Sequence, residues 1–341
     1  MKKITLFLIG LILIGIPSYA DTRASILLLH NGQGSSFEDD QLQDAVNQAV
    51  TGDTICLSEG SYEINEPLII DKIISIIGTG QTTKLRGSVN ICIDGTPQVT
   101  GYMLNGMRIS GDIIVQKELN GLKMKKIWIG GYFYSTADVK DVEIDKSYIK
   151  GFVPTQYVKS AVVTNCIIYY HGAYNSGQVC NSVGNDLLFV NCNIASVHCN
   201  SFQNIQDVTF LNSIIANYSA GASSVGVGNV SIGNNTFINC LCKTALTSQY
   251  GDVVEECYTE SALATSTDSY NDMFPIFTVS KAEITAQFLQ EKNYLGTDGS
   301  IVGAYGGSTP YTLEADGIHI KERMLKVDPL TRQLNVTLKV E

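Results

Sequence analysis

A tripeptide pattern that returns about every twenty residues constrains this chain more than any other feature. Seven rows align: Tyr102-Met103-Leu104, Leu122-Lys123-Met124, Val142-Glu143-Ile144, Ala161-Val162-Val163, Leu187-Leu188-Phe189, Val208-Thr209-Phe210 and Val230-Ser231-Ile232. Their starts lie 20, 20, 19, 26, 21 and 22 residues apart. In each row the first and third slots are apolar, the alternation of a strand with one buried face. The phase then slips by one, so that slots six and eight carry the apolar or small residues: Met107/Ile109, Ile127/Ile129, Ser147/Ile149, Cys166/Ile168, Cys192/Ile194, Ser213/Ile215 and Asn235/Phe237. A bend at slot five explains the slip. Gly106, Lys126, Lys146, Asn165, Asn191, Asn212 and Asn234 occupy it, and Gly and Asn accept the left-handed backbone such a corner needs. Stacked Asn side chains are expected to bond from coil to coil. Two short strands, a corner and a return loop make one turn of a parallel β-solenoid. The spacing therefore predicts an all-β chain, a parallel β-helix whose coils stack about 4.8 Å apart and bury slots one, three, six and eight.

The rest of the chain is organised around that core. Ile55-Cys56-Leu57, Ile74-Ser75-Ile76 and Val89 to Ile93 read as earlier coils, and Asp252 to Thr259 as a last, degenerate one with Cys257 in slot six. A solenoid must cover its open ends. Glu38 to Val50 has helical spacing, with Leu42, Ala45, Val46 and Ala49 on one face, and is assigned as a cap. Residues 1–20 read as an export signal: Lys2 and Lys3, an apolar run from Ile4 to Ile16, and Ser18-Tyr19-Ala20 as a cleavage site. The division expected is a signal at 1–20, a cap at 21–53, the β-helix at 54–275 and a C-terminal segment at 276–341. That last segment holds strand-like Ile318-His319-Ile320 and Leu334 to Val340, a β tail expected to pack on the solenoid.

The run Leu42-Gln43-Asp44-Ala45, then Gly52-Asp53-Thr54-Ile55, Glu59-Gly60-Ser61-Tyr62 and Ile76-Ile77-Gly78-Thr79-Gly80, resembles the opening of single-stranded right-handed parallel β-helix proteins, the pectin-lyase-like superfamily. The closing Gly303-Ala304-Tyr305-Gly306-Gly307 with Pro310-Tyr311-Thr312 is similar to secreted β-helix proteins of Bacteroidetes-type bacteria. Opening, coils and ending together cover most of the chain that follows the signal. The resemblance is specific for fold, since this fold hosts lyases, hydrolases, epimerases, adhesins and structural proteins. No catalytic set of the superfamily transfers: the only Asp-Asp is Asp39-Asp40 in the capping helix, His171 follows Tyr170 and not Gly, and Arg108-Ile109 is followed by Ser110. No cofactor is called for, except Ca2+ if the chain is a lyase.

Charge narrows the partners. The formal charge of −10 becomes −12 without Lys2 and Lys3, which argues against nucleic acid, anionic membranes and unaided binding of a polyuronate. No transmembrane segment is expected. Slot seven places Arg108, Trp128 and Tyr148 on consecutive coils, facing solvent as a cation beside two flat rings, a platform for a pyranose. The alternative is that aromatics merely cover a strand surface. Slots two and four set Lys123/Lys125 above Glu143/Asp145, which reads as a charge ladder or as an acid/base pair about 6.5–7 Å apart. The one 26-residue interval adds a loop with Tyr170, His171 and Tyr174, where His171 is a candidate general base and the tyrosines candidate sugar contacts. Val162, Leu188, Val190 and Leu211 make the same outward slots apolar further along; the C-terminal segment or a second copy is expected to cover them. Cys166 and Cys192 share inward slot six and read as packed thiols, while Cys240-x-Cys242 is a weak metal signal. The expectation is an exported protein, periplasmic, surface-bound or extracellular, that binds or processes a polysaccharide on a lateral face. The alternatives are an active polysaccharide lyase or glycoside hydrolase using Glu143, Asp145 or His171, and a structural or adhesive protein.

Overall fold

A computed structural model describes residues 24–153, 157–170, 180–181, 186–196, 202–203, 205–217, 231–243, 245–246, 248, 251–265, 277–279, 282–314, 320–327 and 334–340. The expected export signal, His171 and Tyr174 lie outside the described residues, as does the side chain of Tyr170.

The chain winds into a parallel β-solenoid. Slot three runs in register through Ile55, Ile76, Leu104, Met124, Ile144, Val163, Phe189, Phe210, Phe237 and Val254, each pairing with the next. Slot eight forms a second file through Ile109, Ile129, Ile149, Ile168, Ile194, Ile215 and Cys242. Apart from Val254 at the end, these residues belong to one buried core. Identical side chains stack on one another along it. Phe189, Phe210 and Phe237 lie with ring centroids 5.1 Å apart and planes within 8° of parallel. Such contacts add about 0.5–1.5 kcal/mol each beyond area burial.

One register differs from the expected one. Thr236-Phe237-Ile238 pairs with Thr209-Phe210-Leu211, so this row begins five residues later than Val230-Ser231-Ile232 suggests. Ser231–Gly233 is a strand, but it pairs with Ile205 and Gln206 in a separate sheet. Slot three thus advances 27 residues from Phe210 to Phe237 and 17 from Phe237 to Val254. Slot five becomes Asn239, and Cys240 and Cys242 take inward slots six and eight. Both are buried, which accounts for their spacing without a metal. Cys257 falls in slot six, as expected.

The corner is where the spacing placed it. Gly106, Lys126, Lys146, Asn165, Asn191 and Asn212 have φ of 68°, 53°, 48°, 51°, 50° and 52°; in the seventh row Asn239 (50°) takes the corner in place of the expected Asn234, which is left-handed too (61°). Their backbone amides bond the next coil, as from Asn165 N–H to Val190 O (3.0 Å) and from Asn191 N–H to Leu211 O (3.0 Å). Among the described residues the slot-five Asn side chains show no coil-to-coil bond; those of Asn165, Asn212 and Asn239 reach across to the C-terminal segment instead. Slot six repairs the polar groups that the bend displaces. Ile127, Ser147, Cys192 and Cys240 each donate their N–H to the hydroxyl or thiol one coil on, at Ser147, Cys166, Ser213 and Cys257 (3.1–3.4 Å). Those side chains donate in turn to the slot-four carbonyl of their own coil, as Ser147 does to Asp145 (2.8 Å) and Cys166 to Thr164 (3.2 Å). Small Ser and Cys recur here because a buried N–H and C=O must be paired.

The N-terminal end is closed by an antiparallel hairpin, Ser25–His30 with Gln33–Glu38, the first strand of which also pairs antiparallel with Thr54–Leu57. The helix beside it runs Leu42–Gln48, shorter than the spacing suggested, and buries Leu42, Ala45 and Val46. At the other end, residues 284–313 form a strap with a short helix Ala286–Glu291. The tail is a hairpin of Ile320–Val327 with Leu334–Val340.

Candidate functional site

A groove of about 570 Å³ lies on a lateral face, at the corner where the strand pair Leu119–Asn120 and Val139–Lys140 turns into the slot one-to-four sheet. Gly121 and Asp141 make that turn with φ of 81° and 51°. Lys123 and Glu143 form one wall, and Asp141, Ser160 and Asp186 bring polar groups to the rim. Val162 and Leu188 supply an apolar floor further along the coils.

The charge ladder is present. Lys123 stands opposite Glu143 and Lys125 opposite Asp145, and Lys123 Nζ lies 2.7 Å from Glu143 Oε2. Tyr102 donates its hydroxyl to Glu143 Oε1 (3.4 Å), and Lys125 Nζ sits 5.4 Å from the centroid of the Tyr102 ring. The hydrogen bond to Glu143 holds the Lys123 ammonium above its ordinary value. Asp145 is different. Burial pushes its carboxyl up, the nearby Glu143 adds to the rise, and Lys146, Lys125 and Lys126 only partly oppose it. The two carboxyls are two residues apart on one face, about 6.5–7 Å by strand geometry. Glu143 is tied to a cation, while Asp145 sits in the more buried place.

The slot-seven stack also forms, with Arg108 Cζ 4.0 Å from the Trp128 ring centroid and Trp128 stacked on Tyr148 at 5.5 Å and 10°. The expectation that Tyr148 faces solvent needs correcting: it is 5% exposed. The rings stack along the solenoid axis, so Arg108 and Tyr148 take up the faces of Trp128. Beyond Trp128, slot seven reads Tyr148, Ile167, Asn193, Ile214 and Leu241, and the strap covers the apolar ones with Leu289, Val302, Ala304 and Leu313. The Asn corners hold its backbone. Asn165 donates to Ala304 O (3.1 Å) and Gly306 O (2.8 Å), and Asn239 to Leu295 O (3.1 Å). Asn212 donates to Thr297 Oγ1 (3.3 Å) and accepts from Thr297 N–H (3.0 Å). At Gly303 a Cβ would stand 2.4 Å from Asn193 Oδ1, so the glycine run lets the strap lie flat on the ladder.

Coverage of Val162, Leu188, Val190 and Leu211 by the C-terminal segment is therefore not what the structure has. Val162 is 42% exposed, and Leu188, Val190 and Leu211 are half-buried. The strap chose slots five and seven because those slots offer both apolar side chains and free Asn amides, whereas slots two and four offer only the first. A slot-seven stripe was legible in the sequence once Ile167, Ile214 and Leu241 are put in one file, interrupted at Asn193, whose Oδ1 accepts the Ala304 N–H (2.9 Å).

A second concavity of about 210 Å³ lies at the N-terminal hairpin, lined by Leu28, His30, Gln33, Ser35, Gln48, Val50 and Asp53. His30 Nδ1 lies 2.7 Å from Asp53 Oδ1, and Asp53 Oδ2 accepts the Val50 N–H (2.9 Å). Asp53 thereby ties the helix exit to the first strand, a structural role.

Among the described residues no group of three or more His, Cys, Asp or Glu gathers as a metal site would require. No helix among them is long and apolar enough to cross a membrane. No protein-family model matches the chain, and comparison with curated proteins gives no match.

Proposed function

We propose that this is an exported β-helix protein, related to the pectin-lyase-like superfamily, that binds a neutral polysaccharide in the groove walled by Lys123 and Glu143. The groove itself carries the reading. Its volume suits one or two sugar rings, and it combines an apolar floor at Val162 and Leu188 with hydroxyl, carboxylate and ammonium groups at the rim. Sugars present the same mixture, flat C–H faces edged with hydroxyls. The solenoid's length lets a chain continue past the groove along the coils. Asp141, Asp186 and Glu143 outnumber Lys123 there, which favours a neutral glycan over a uronate. The proposed domain division, with the signal at 1–20 and a C-terminal region from 276, goes with this reading.

A second reading, a glycoside hydrolase or lyase, is favoured by Asp145, whose raised carboxyl lies beside Glu143 on the same strand face. Affinity electrophoresis against neutral, acidic and amino polysaccharides, with and without Ca2+, tests the first. Retention by a neutral glycan that falls at least tenfold in Val162→Asp and Glu143→Gln is the expected result, and retention unchanged in both variants removes the groove. Reducing-end release or unsaturated products that disappear in Asp145→Asn would select the enzyme. Trp128→Ala is the comparison for slot seven: loss of retention there, with the groove variants unaffected, would move the site to the Arg108–Trp128 edge.

A further inference from the structure

Cys240 and Cys257 stand in slot six of the last two coils, and their chemistry differs from that of the other inward thiols. Tyr258 and Thr259 pair in register with Leu241 and Cys242, so Cys257 and Cys240 face one another across a single coil spacing. Cys240 N–H donates to Cys257 Sγ at 3.4 Å. Cα atoms of paired parallel strands lie about 4.8 Å apart, inside the range of about 4.4–6.8 Å that a disulfide spans. Cys166 and Cys192 are neighbours in the same way, but both are fully buried between coils that are paired on each side. The terminal coil is freer. It follows the preceding one after only 17 residues, and among the described residues no strand pairs with its outer edge. Cys257 is also partly exposed while Cys240 is buried.

We propose that Cys240 and Cys257 are a redox-active pair that closes to a disulfide and staples the last coil to the stack. Cys257 is the attacking thiol. The adjoining Cys240 side chain and the Cys240 N–H lower its pKa against the opposing effect of burial, whereas burial raises that of Cys240 well above the ordinary value. The oxidant is a small disulfide such as oxidised glutathione. The Cys257 thiolate attacks one of its sulfurs and expels one thiolate, leaving a mixed disulfide. Cys240 then loses its proton and attacks the Cys257 sulfur, expelling the second thiolate. The pair loses two electrons and two protons, and the small disulfide becomes two thiols. Cys242, two residues from Cys240, faces Thr259 and has no thiol opposite it.

The folded full chain, incubated with oxidised glutathione, alkylated and digested, gives the test. The expected product is a peptide cross-linked between Cys240 and Cys257, reversed by dithiothreitol, with amide exchange at Val253–Glu255 slowed at least tenfold. Cys240→Ser and Cys257→Ser, which place at slot six the residue already found at Ser147 and Ser213, each abolish the cross-link. A mixed disulfide at Cys257 that never resolves overturns the proposal. So does Cys166–Cys192 closing at an equal rate, since stacking alone would then be the cause. A full count of alkylated thiols after oxidation overturns it as well.

Discussion

Asn212 carries two loads that can be separated by substitution. Its backbone turns the corner at φ 52°, and its side chain both donates to and accepts from Thr297 in the strap. Asn212→Gly keeps the left-handed backbone and removes the strap bonds. Two hydrogen bonds at about 0.5–1.5 kcal/mol net each, with the greater backbone entropy Gly loses on folding, about 0.5–1 kcal/mol, give a loss of about 1.5–4 kcal/mol. Asn212→Ala loses the same bonds and leaves the Cβ in the left-handed region without the local hydrogen bonding by which Asn tolerates it, a cost of up to about 1–2 kcal/mol, and it does not forfeit the entropy that Gly does. The two variants therefore come out close in global stability but differ in place. In Gly the strap loosens while the corner holds; in Ala the corner bond from Asn212 N–H to Ile238 O (2.9 Å) weakens too. Urea denaturation gives the global loss, and hydrogen exchange resolves the strap at 295–307 from the corner amides. Loss of strap protection in both, with corner protection lost only in Ala, is expected. Undiminished strap protection in Asn212→Gly would refute the argument that the Asn ladder holds the strap.

Three further outcomes follow from the same contacts. Phe210, fully buried between Phe189 and Phe237, should cost about 3–5 kcal/mol on replacement by Ala, whereas Phe210→Leu should cost less than half of that by urea titration. Asp53 sits between burial, which works to raise its pKa, and the Val50 N–H and His30, which outweigh it and leave the carboxyl below its ordinary 3.8. Its contribution is thus complete above that ordinary value and is lost as pH falls through the lower folded one; Asp53→Asn should flatten that part of an acid denaturation curve. Lys123→Met breaks a half-exposed ion pair with Glu143 and should change stability by no more than about 1 kcal/mol, with the difference shrinking further in high salt.

The sequence reading was strongest where a local rule repeats. Alternation, the phase slip and the Gly or Asn at slot five placed the corner at Gly106, Lys126, Lys146, Asn165, Asn191 and Asn212, even where Lys had to adopt a left-handed backbone. It failed at the seventh row, because Val230-Ser231-Ile232 alternates as well as a true slot-three strand does. The deciding signal was present. Phe189-Val190-Asn191-Cys192, Phe210-Leu211-Asn212-Ser213 and Phe237-Ile238-Asn239-Cys240 share an aromatic, a corner Asn and a small slot-six group, and all three are in register with the core. Hydropathy cannot distinguish two sheets of one coil, and neither can the Asn alone, since Asn234 is left-handed as well (φ 61°); the slot-three aromatic that stacks on Phe210 can.

The sequence alone settles a periodic, in-register core, because each coil obeys the same short-range rule: inward residues alternate, and one left-handed residue turns the chain. Which outward stripe the C-terminal strap covers is settled only when the coils are stacked. Slots two and four near Val162 and slot seven near Ile167 are both apolar in sequence, and stacking alone brings the Asn amides beside slot seven, where the strap's carbonyls can meet them. The same choice leaves the groove at Lys123 and Glu143 open and buries Tyr148. Coverage depends on a match between segments far apart in sequence, from 56 residues at Asn239 and Leu295 to 141 at Asn165 and Gly306, and no local pattern encodes that match.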